Sequence, residues 1–188
     1  MAEGFEEIEA LATVDILRRA GLPARMVCAW EEGGVPVLGA HGIPVMADVD
    51  LADVLEDTQS MAPATREDVM IFPGGMPGAA NLSENDPLMD AMEAHWNEGG
   101  TVAAICAAPG VVLSKLDGLS GKAFTCYTGF EGPLLKKEAV YDGGPAVVDG
   151  RFITGRGPGC AIQFALAIVK YLCGEEVEAK IRGGLLLP

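Results

Sequence analysis

Histidine, positive charge and long apolar runs are all scarce in this chain. Of 188 residues only two are histidine, His41 and His95, too few for most metal sites, so no metal ligand set is expected. Lysine and arginine number 13 against 27 acids, a formal net charge of −14. That balance argues against nucleic acid and against anionic membranes, since both need a basic surface. No apolar stretch approaches the ~20 residues of a membrane span. No secretory leader is visible either, so the expected location is cytoplasmic. The five cysteines (Cys28, Cys106, Cys126, Cys160, Cys173) are odd in number, widely spaced and include no C-x-x-C pair. A disulfide framework and a zinc knuckle are therefore disfavoured, and a reducing compartment is expected. Asn81-Leu82-Ser83 fits the glycosylation pattern, but without a leader it reads as chance.

What is present is a core. Hydrophobic residues make up 49% of the chain. There is no repeat, low-complexity segment or linker, so one domain over residues 1–188 is expected. Residues 6–20, "EEIEALATVDILRRA", set Ile8, Leu11, Ala12, Ile16 and Leu17 near one face at helical spacing, with Gly21 as the stop. "ARMVCAW" (24–30) reads as a strand. The Gly- and Pro-punctuated stretch after it suggests small strands or a hairpin. "VMIF" (69–72) and "TVAAI" (101–105) are continuous apolar runs, as in strands covered on both faces. Asp86-Pro87 opens a helix that stops at Gly99-Gly100. "KAFTCY" (122–127) is a strand, "PAVVDGRFIT" (145–154) is a hairpin turning at Asp149-Gly150, and residues 161–173 form an apolar helix. Strands alternating with helices predict an α/β sandwich around a mostly parallel sheet.

Chemistry concentrates at two strand ends. Cys106 ends one strand and precedes a helix candidate starting near Pro109; Gly74-Gly75 ends another. Ligands bind at that edge of open parallel sheets. A nearby helix N-terminus is expected to lower the thiol pKa. Glycines in the facing loop let backbone N–H groups approach an oxyanion. The plain alternative is a small buried thiol filling space, and Pro-Gly-Gly is also ordinary turn chemistry.

The joint pattern is more specific than its parts. "AEGFEEIEA" (2–10), "IFPGG" (71–75), "AAICAAPG" (103–110) and "GRGPG" (155–159) occur in this order. Together they resemble the ThiJ/PfpI superfamily, closely the branch that contains the Parkinsonism-associated protein deglycase and its bacterial relatives. The resemblance covers nearly the whole chain. It implies a flavodoxin-like three-layer sandwich, class I glutamine amidotransferase-like, usually a homodimer, with an oxidation-prone cysteine and no cofactor. It implies that Cys106 accepts a hydrogen bond from a protonated glutamate, which by motif is Glu9. Composition alone leaves Glu6, Glu7 and Glu9 equal, because any of them could be a solvated helix-start acid. The backbone donors implied are Gly74, Gly75 and Ala107.

Three departures matter. Ala107 stands where the protease-like branch has histidine, which disfavours a Cys-His arrangement. Cys126 stands where the deglycase branch commonly has histidine; it is a candidate auxiliary thiol or simply a buried strand cysteine. An apolar central strand precedes "AEGFEEIEA" in the family, yet only Met1 precedes Ala2 here. The first strand of the sheet is thus apparently missing. Either the start is assigned too late or the sheet repacks; a chain starting at Met1 is expected to be partly unfolded, aggregated, or rescued by pairing with another segment such as the apolar "LLLP" tail. His41 in "GAHGI" reads as a turn or interface residue, His95 as a solvated one, and Arg156 as a structural partner of acids or carbonyl groups. The expected functions are a cysteine-dependent enzyme for small reactive carbonyls, or a redox sensor or chaperone using the same cysteine. A protease-like hydrolase ranks below both.

Overall fold

The computed structural model describes residues 1–29, 36–58 and 62–187. Helix α1 (Glu7–Arg19) has acids in its first turn and Arg18 and Arg19 in its last, the order the helix dipole favours. Its buried face differs from the one the apolar spacing predicts. Glu9, Ala10, Thr13, Ile16 and Leu17 are buried, while Ile8 and Leu11 are exposed. The cause lies in the first turn. Successive residues sit about 100° apart around a helix, so turning Glu9 inward turns Ile8 outward.

Four short strands and a helix follow: β1 (Val27–Cys28), β2 (Val37–Leu38), β3 (Pro44–Val45), β4 (Val49–Asp50) and α2 (Leu51–Thr58). Strands β2 and β3 form a hairpin, and β1 runs parallel to β4. The strand expected over 24–30 is therefore only two residues long, and Trp30 lies outside the described residues. Then come β5 (Val69–Phe72), α3 (Gly78–Glu84) and α4 (Asp86–Glu98). Asn85, not Asp86, caps α4: its side chain accepts the Leu88 N–H at 3.0 Å. Gly99 ends the helix at φ 118°.

The remaining elements are β6 (Thr101–Ile105), α5 (Ala108–Val111), β7 (Ala123–Phe124), α6 (Gly132–Lys136), β8 (Val140–Tyr141), β9 (Ala146–Asp149), β10 (Phe152–Gly155), α7 (Ala161–Cys173) and α8 (Glu175–Gly184). The hairpin of β9 and β10 turns through Gly150 at φ 61°, where glycine is free of strain. The main sheet has the order β5-β6-β10-β9, with β5, β6 and β10 parallel and β9 antiparallel at the edge. Strand β6 is buried along its whole length. Val102 and Ala104 face a cluster containing Leu88 and Met92 of α4, whereas Ala103 and Ile105 face Ile16 and Leu17 of α1 and Phe164 and Ile168 of α7. Alternate side chains thus enter different helix layers, which makes this a flavodoxin-like three-layer α/β sandwich.

No described ladder joins the β1–β4 pair to β5, and no described strand precedes α1. Met1 stands at the gap. Its amino group donates to the Val27 carbonyl at 2.5 Å, and its carbonyl accepts the Ala29 N–H at 2.8 Å. One residue thus takes a strand-like place against β1. Phe5 adds an isolated parallel bridge to Gly39, and the Glu6 N–H donates to the Gly74 carbonyl at 3.0 Å. The tail does not fill the gap. The N–H groups of Leu185 and Leu187 bond back to Ile181 and Arg182, and their side chains pack on the helical layer of α1 and α7.

Candidate active site

Cys106 stands between β6 and α5 with φ 66°, in the left-handed region that non-glycine residues avoid. Such a conformation costs on the order of 1–3 kcal/mol and survives only where neighbours enforce it. Here both sides of the residue are clamped. The Cys106 N–H donates to the Gly155 carbonyl at 3.0 Å, and its carbonyl accepts the Tyr127 N–H at 2.8 Å. Gly155 has no room for a side chain: a Cβ would lie 2.8 Å from the Phe164 ring and 2.9 Å from Ile105. The turn thereby aims a buried sulfur out of the sheet end.

The acids of α1 divide around that sulfur. Glu9 is 1% exposed and faces the Cys106 thiol, which pulls its proton affinity down. Its Oε2 accepts the Gly74 N–H at 2.8 Å, and its Oε1 has no hydrogen-bond partner among the described residues. Glu6 and Glu7 instead meet His41, with Glu7 Oε2 2.8 Å from the ring Nδ1. Of the three glutamates, only Glu9 reaches the cysteine.

Of the three backbone donors expected at the sulfur, two are there. The N–H groups of Gly75 and Ala107 act on the Cys106 thiol and favour its ionised form. Gly74 differs, because its N–H is taken by Glu9. Gly74 matters for another reason: a Cβ there would sit 2.6 Å from Cys106 Cβ and 2.8 Å from Glu9 Oε2. The acid and the thiol can touch only across a glycine.

The proton affinities overturn the expected low thiol pKa. Burial, then the negative charge of Glu9, push the Cys106 thiol up to about 12 against the opposing Gly75 and Ala107 N–H groups. Helix α5 has only four residues, so its dipole is too small to win. Burial likewise pushes Glu9 up to about 7, although the thiol and the Gly74 N–H pull it down. Two acids in contact titrate as a unit. The pair gives up one proton near neutrality and holds the second, because two adjacent buried charges repel.

The other expected residues fall in varied places. Cys126 is fully buried, and burial, then the charge of Glu131, push its thiol up to about 12. His95 is not simply solvated: its Nε2 lies 2.9 Å from the Thr101 carbonyl. Arg156 donates to the Gly143 carbonyl at 3.3 Å. It also lines an open pocket of about 290 Å³ with Tyr127, Thr128, Gly157, Pro158, Gly159 and Cys160. The Tyr127–Cys106 backbone bond sets one wall of this pocket next to the Cys106 turn. Tyr127 and Thr128 carry no motif signal in the sequence.

Residues 1–171 match the family model described as the DJ-1/PfpI family. The chain belongs to the DJ-1/PfpI family. It is 36% identical over 187 residues to protein dj-1beta of Drosophila melanogaster, covering 100% of this chain and 94% of that one. The crystal structure of the Drosophila protein superposes with a TM-score of 0.84, covering 100% of this chain and 95% of that one at 34% identity. Over 174 residues it is 34% identical to the glutathione-independent glyoxalase DJR-1.2 of Caenorhabditis elegans, covering 93% of this chain and 86% of that protein. Oxidized DJ-1 of Toxoplasma gondii matches with a TM-score of 0.87 at 31% identity, covering 99% and 95% of the two chains. No described helix is long and apolar enough to cross a membrane.

Proposed function

We propose that the protein is a cofactor-independent glyoxalase- or deglycase-type enzyme acting on small reactive carbonyls, with Cys106 as nucleophile. The observation that carries this reading is the contact of Glu9 with a sulfur held at φ 66° and met by two N–H groups. The singly ionised pair rests with its charge on Glu9, and the reactive form is the tautomer with that charge on sulfur, which has two backbone donors where the carboxylate has one. Glu9 then holds the proton. The sulfur attacks the aldehyde carbon of an α-oxoaldehyde, forming a C–S bond as the carbonyl electron pair moves to oxygen. That oxygen takes the Glu9 proton, giving a hemithioacetal. The ionised Glu9 removes the C1 proton and returns it at C2, while the proton on the C1 oxygen passes to the C2 oxygen, leaving a thioester. Water cleaves the C–S bond, releasing a 2-hydroxy acid and the thiol. The sum is α-oxoaldehyde plus water giving 2-hydroxy acid. The similarity to a protein named as a glyoxalase supports the substrate class.

The second reading is an oxidative-stress sensor, in which Cys106 gains two oxygens as a sulfinate held by the same donors. The oxidized Toxoplasma relative favours it. Kinetics with methylglyoxal, run beside a peroxide titration followed by mass spectrometry, separate the two. Turnover lost in Cys106→Ser supports the enzyme. Peroxide-driven oxidation of Cys106 without measurable turnover supports the sensor. A homodimer is part of either reading, supported by Ile8 and Leu11, exposed by 57% and 39% on the helix that carries Glu9.

A further inference from the structure

The first turn of α1 carries two carboxylates that the Cys106 site does not use. Glu7 Oε2 is 2.8 Å from His41 Nδ1, and Glu7 Oε1 accepts the His41 N–H at 2.8 Å. Glu6 Oε2 is 3.5 Å from the same ring nitrogen. One donor atom from each residue lies within 4.8 Å of the other two. We propose that Glu6, Glu7 and His41 form a binding site for a first-row divalent cation of the Zn²⁺ class, completed by water.

The independent observation is Glu6. Its side chain is only 10% exposed, and its carboxylate accepts no hydrogen bond among the described residues. The 3.5 Å contact to His41 is too long for a strong one. A carboxylate so buried and so poorly matched is costly, and a cation beside it supplies the missing charge. The chain also leaves room for the neighbouring ligand: a Cβ on Gly39 would collide with the Glu7 carboxylate.

The chemistry selects the ion. Ligand bonds of about 2.0–2.2 Å in a tetrahedron put donor atoms roughly 3.3 Å apart. The contacts of 2.8 Å and 3.5 Å bracket that spacing. One imidazole with two carboxylates suits zinc and its neighbours, whereas calcium prefers six or more oxygens. Three protein ligands leave a fourth position for water. Helix α1 begins at Glu7, so the partial positive end of its dipole opposes a cation; two full negative charges outweigh it. Glu6 also donates its N–H to the Gly74 carbonyl at 3.0 Å. A bound ion would therefore tie the His41 loop to the segment that positions Glu9 and Gly75. Counting histidines misses the site, because its third ligand lies 34 residues from Glu7.

The test uses the full chain and the metal alone, with no activity readout. Calorimetry with ZnCl₂ should give one ion per chain. His41→Ala and the isosteric Glu6→Gln should each weaken binding by about tenfold or more. Titration with Co²⁺ should give ligand-field bands without the intense thiolate charge-transfer band that the cysteines would produce. A second measurement needs no variant. The chain has two histidines, His41 and His95, so imidazole NMR reports both. Zn²⁺ should shift the His41 ring and leave His95 unmoved. The proposal is overturned if the wild type binds no Zn²⁺, if either variant binds within about threefold of wild type, if a thiolate band dominates, or if His41 stays unshifted.

Discussion

Two neighbouring acids on one helical turn, Glu7 and Glu9, meet opposite fates. Glu9 is buried against a protonated thiol with a single N–H donor, and it rises to about 7. For Glu7, burial works in the same upward direction. The His41 ring and the N–H groups of His41 and Ile43 outweigh it, and hold Glu7 below the usual carboxylate range. The sequence spacing is the same kind of helix start in both cases, so residue type does not decide protonation. The number of donors supplied by the facing loop decides it. The loop at Gly74 offers Glu9 one donor beside an acid; the loop at His41 offers Glu7 several beside a base. One position becomes a proton holder and the other an ion-pair partner.

The largest effect that would test this contrast is at the thiol. Cys106→Ser should lower turnover of methylglyoxal by at least about a thousandfold, since the proposed nucleophile is replaced. Glu7→Gln should cost far less by the same assay. Comparable losses in the two would erase the distinction between the inner and outer acids.

Gly74→Ala should come next. Its new methyl meets Cys106 Cβ at 2.6 Å and Glu9 Oε2 at 2.8 Å, so the acid and the thiol must separate. Overpacking of this kind costs about 1–3 kcal/mol in stability. A displacement near 1 Å in an active site costs about a hundredfold in rate. A denaturant melt and kcat/KM on the same preparation check both. An alanine variant with wild-type activity would show that the contact is not needed.

How far the sequence reveals this site follows from the range of the contacts. Cys106 is legible because an apolar run meets Ala-Pro-Gly, and short-range pattern marks a strand end. The hairpin at Asp149-Gly150 is legible for the same reason. Glu9 is legible only through family resemblance, because the loop that distinguishes it from Glu6 and Glu7 lies 65 residues away at Gly74. The apolar spacing of α1 misleads about its buried face, since burial there is set by polar contacts at Glu9 and not by Ile8 and Leu11. The short β1 and β7 fall below their expected lengths because pairing partners, not propensity, set how far a strand extends.

The third effect is a pH dependence of stability. The folded value of Glu9 is raised from 4.5 to about 7, so the folded state binds the extra proton. That contribution is fully present below pH 4.5 and is lost as pH rises through about 7. Glu9→Gln mimics the protonated acid and should remove the decline. Relative to that variant, wild type should lose up to about 3 kcal/mol across the window. Urea midpoints between pH 4 and pH 8 measure it. A difference that stays flat would mean that Glu9 is not held protonated by its surroundings.

The smallest effect belongs to the outer pair, and its sign is set by both partners. The Glu7 hydrogen bond, then the charges of Glu6 and Glu7, raise His41 above its ordinary 6.5. A raised histidine stabilises the fold fully below 6.5 and loses that contribution as pH climbs through its folded value. Glu7 is lowered from 4.5, so its contribution is present above 4.5 and fades as pH falls through its folded value. The pair is therefore fully effective only between about 4.5 and 6.5. With chelator present to exclude metal, His41→Ala should be less stable than wild type inside that window, and the gap should narrow on the alkaline side. Because the His41 side chain is 66% exposed, solvent screens most of the interaction and the gap should be modest. Glu9→Gln combined with His41→Ala sharpens the comparison. The inner acid weakens the fold as pH rises through its window, and the outer pair ceases to strengthen it. If the contacts are independent, the two changes should add within about 0.5 kcal/mol. A larger coupling would mean that the first turn of α1 shifts as one unit, and that the two acids cannot be assigned separate environments.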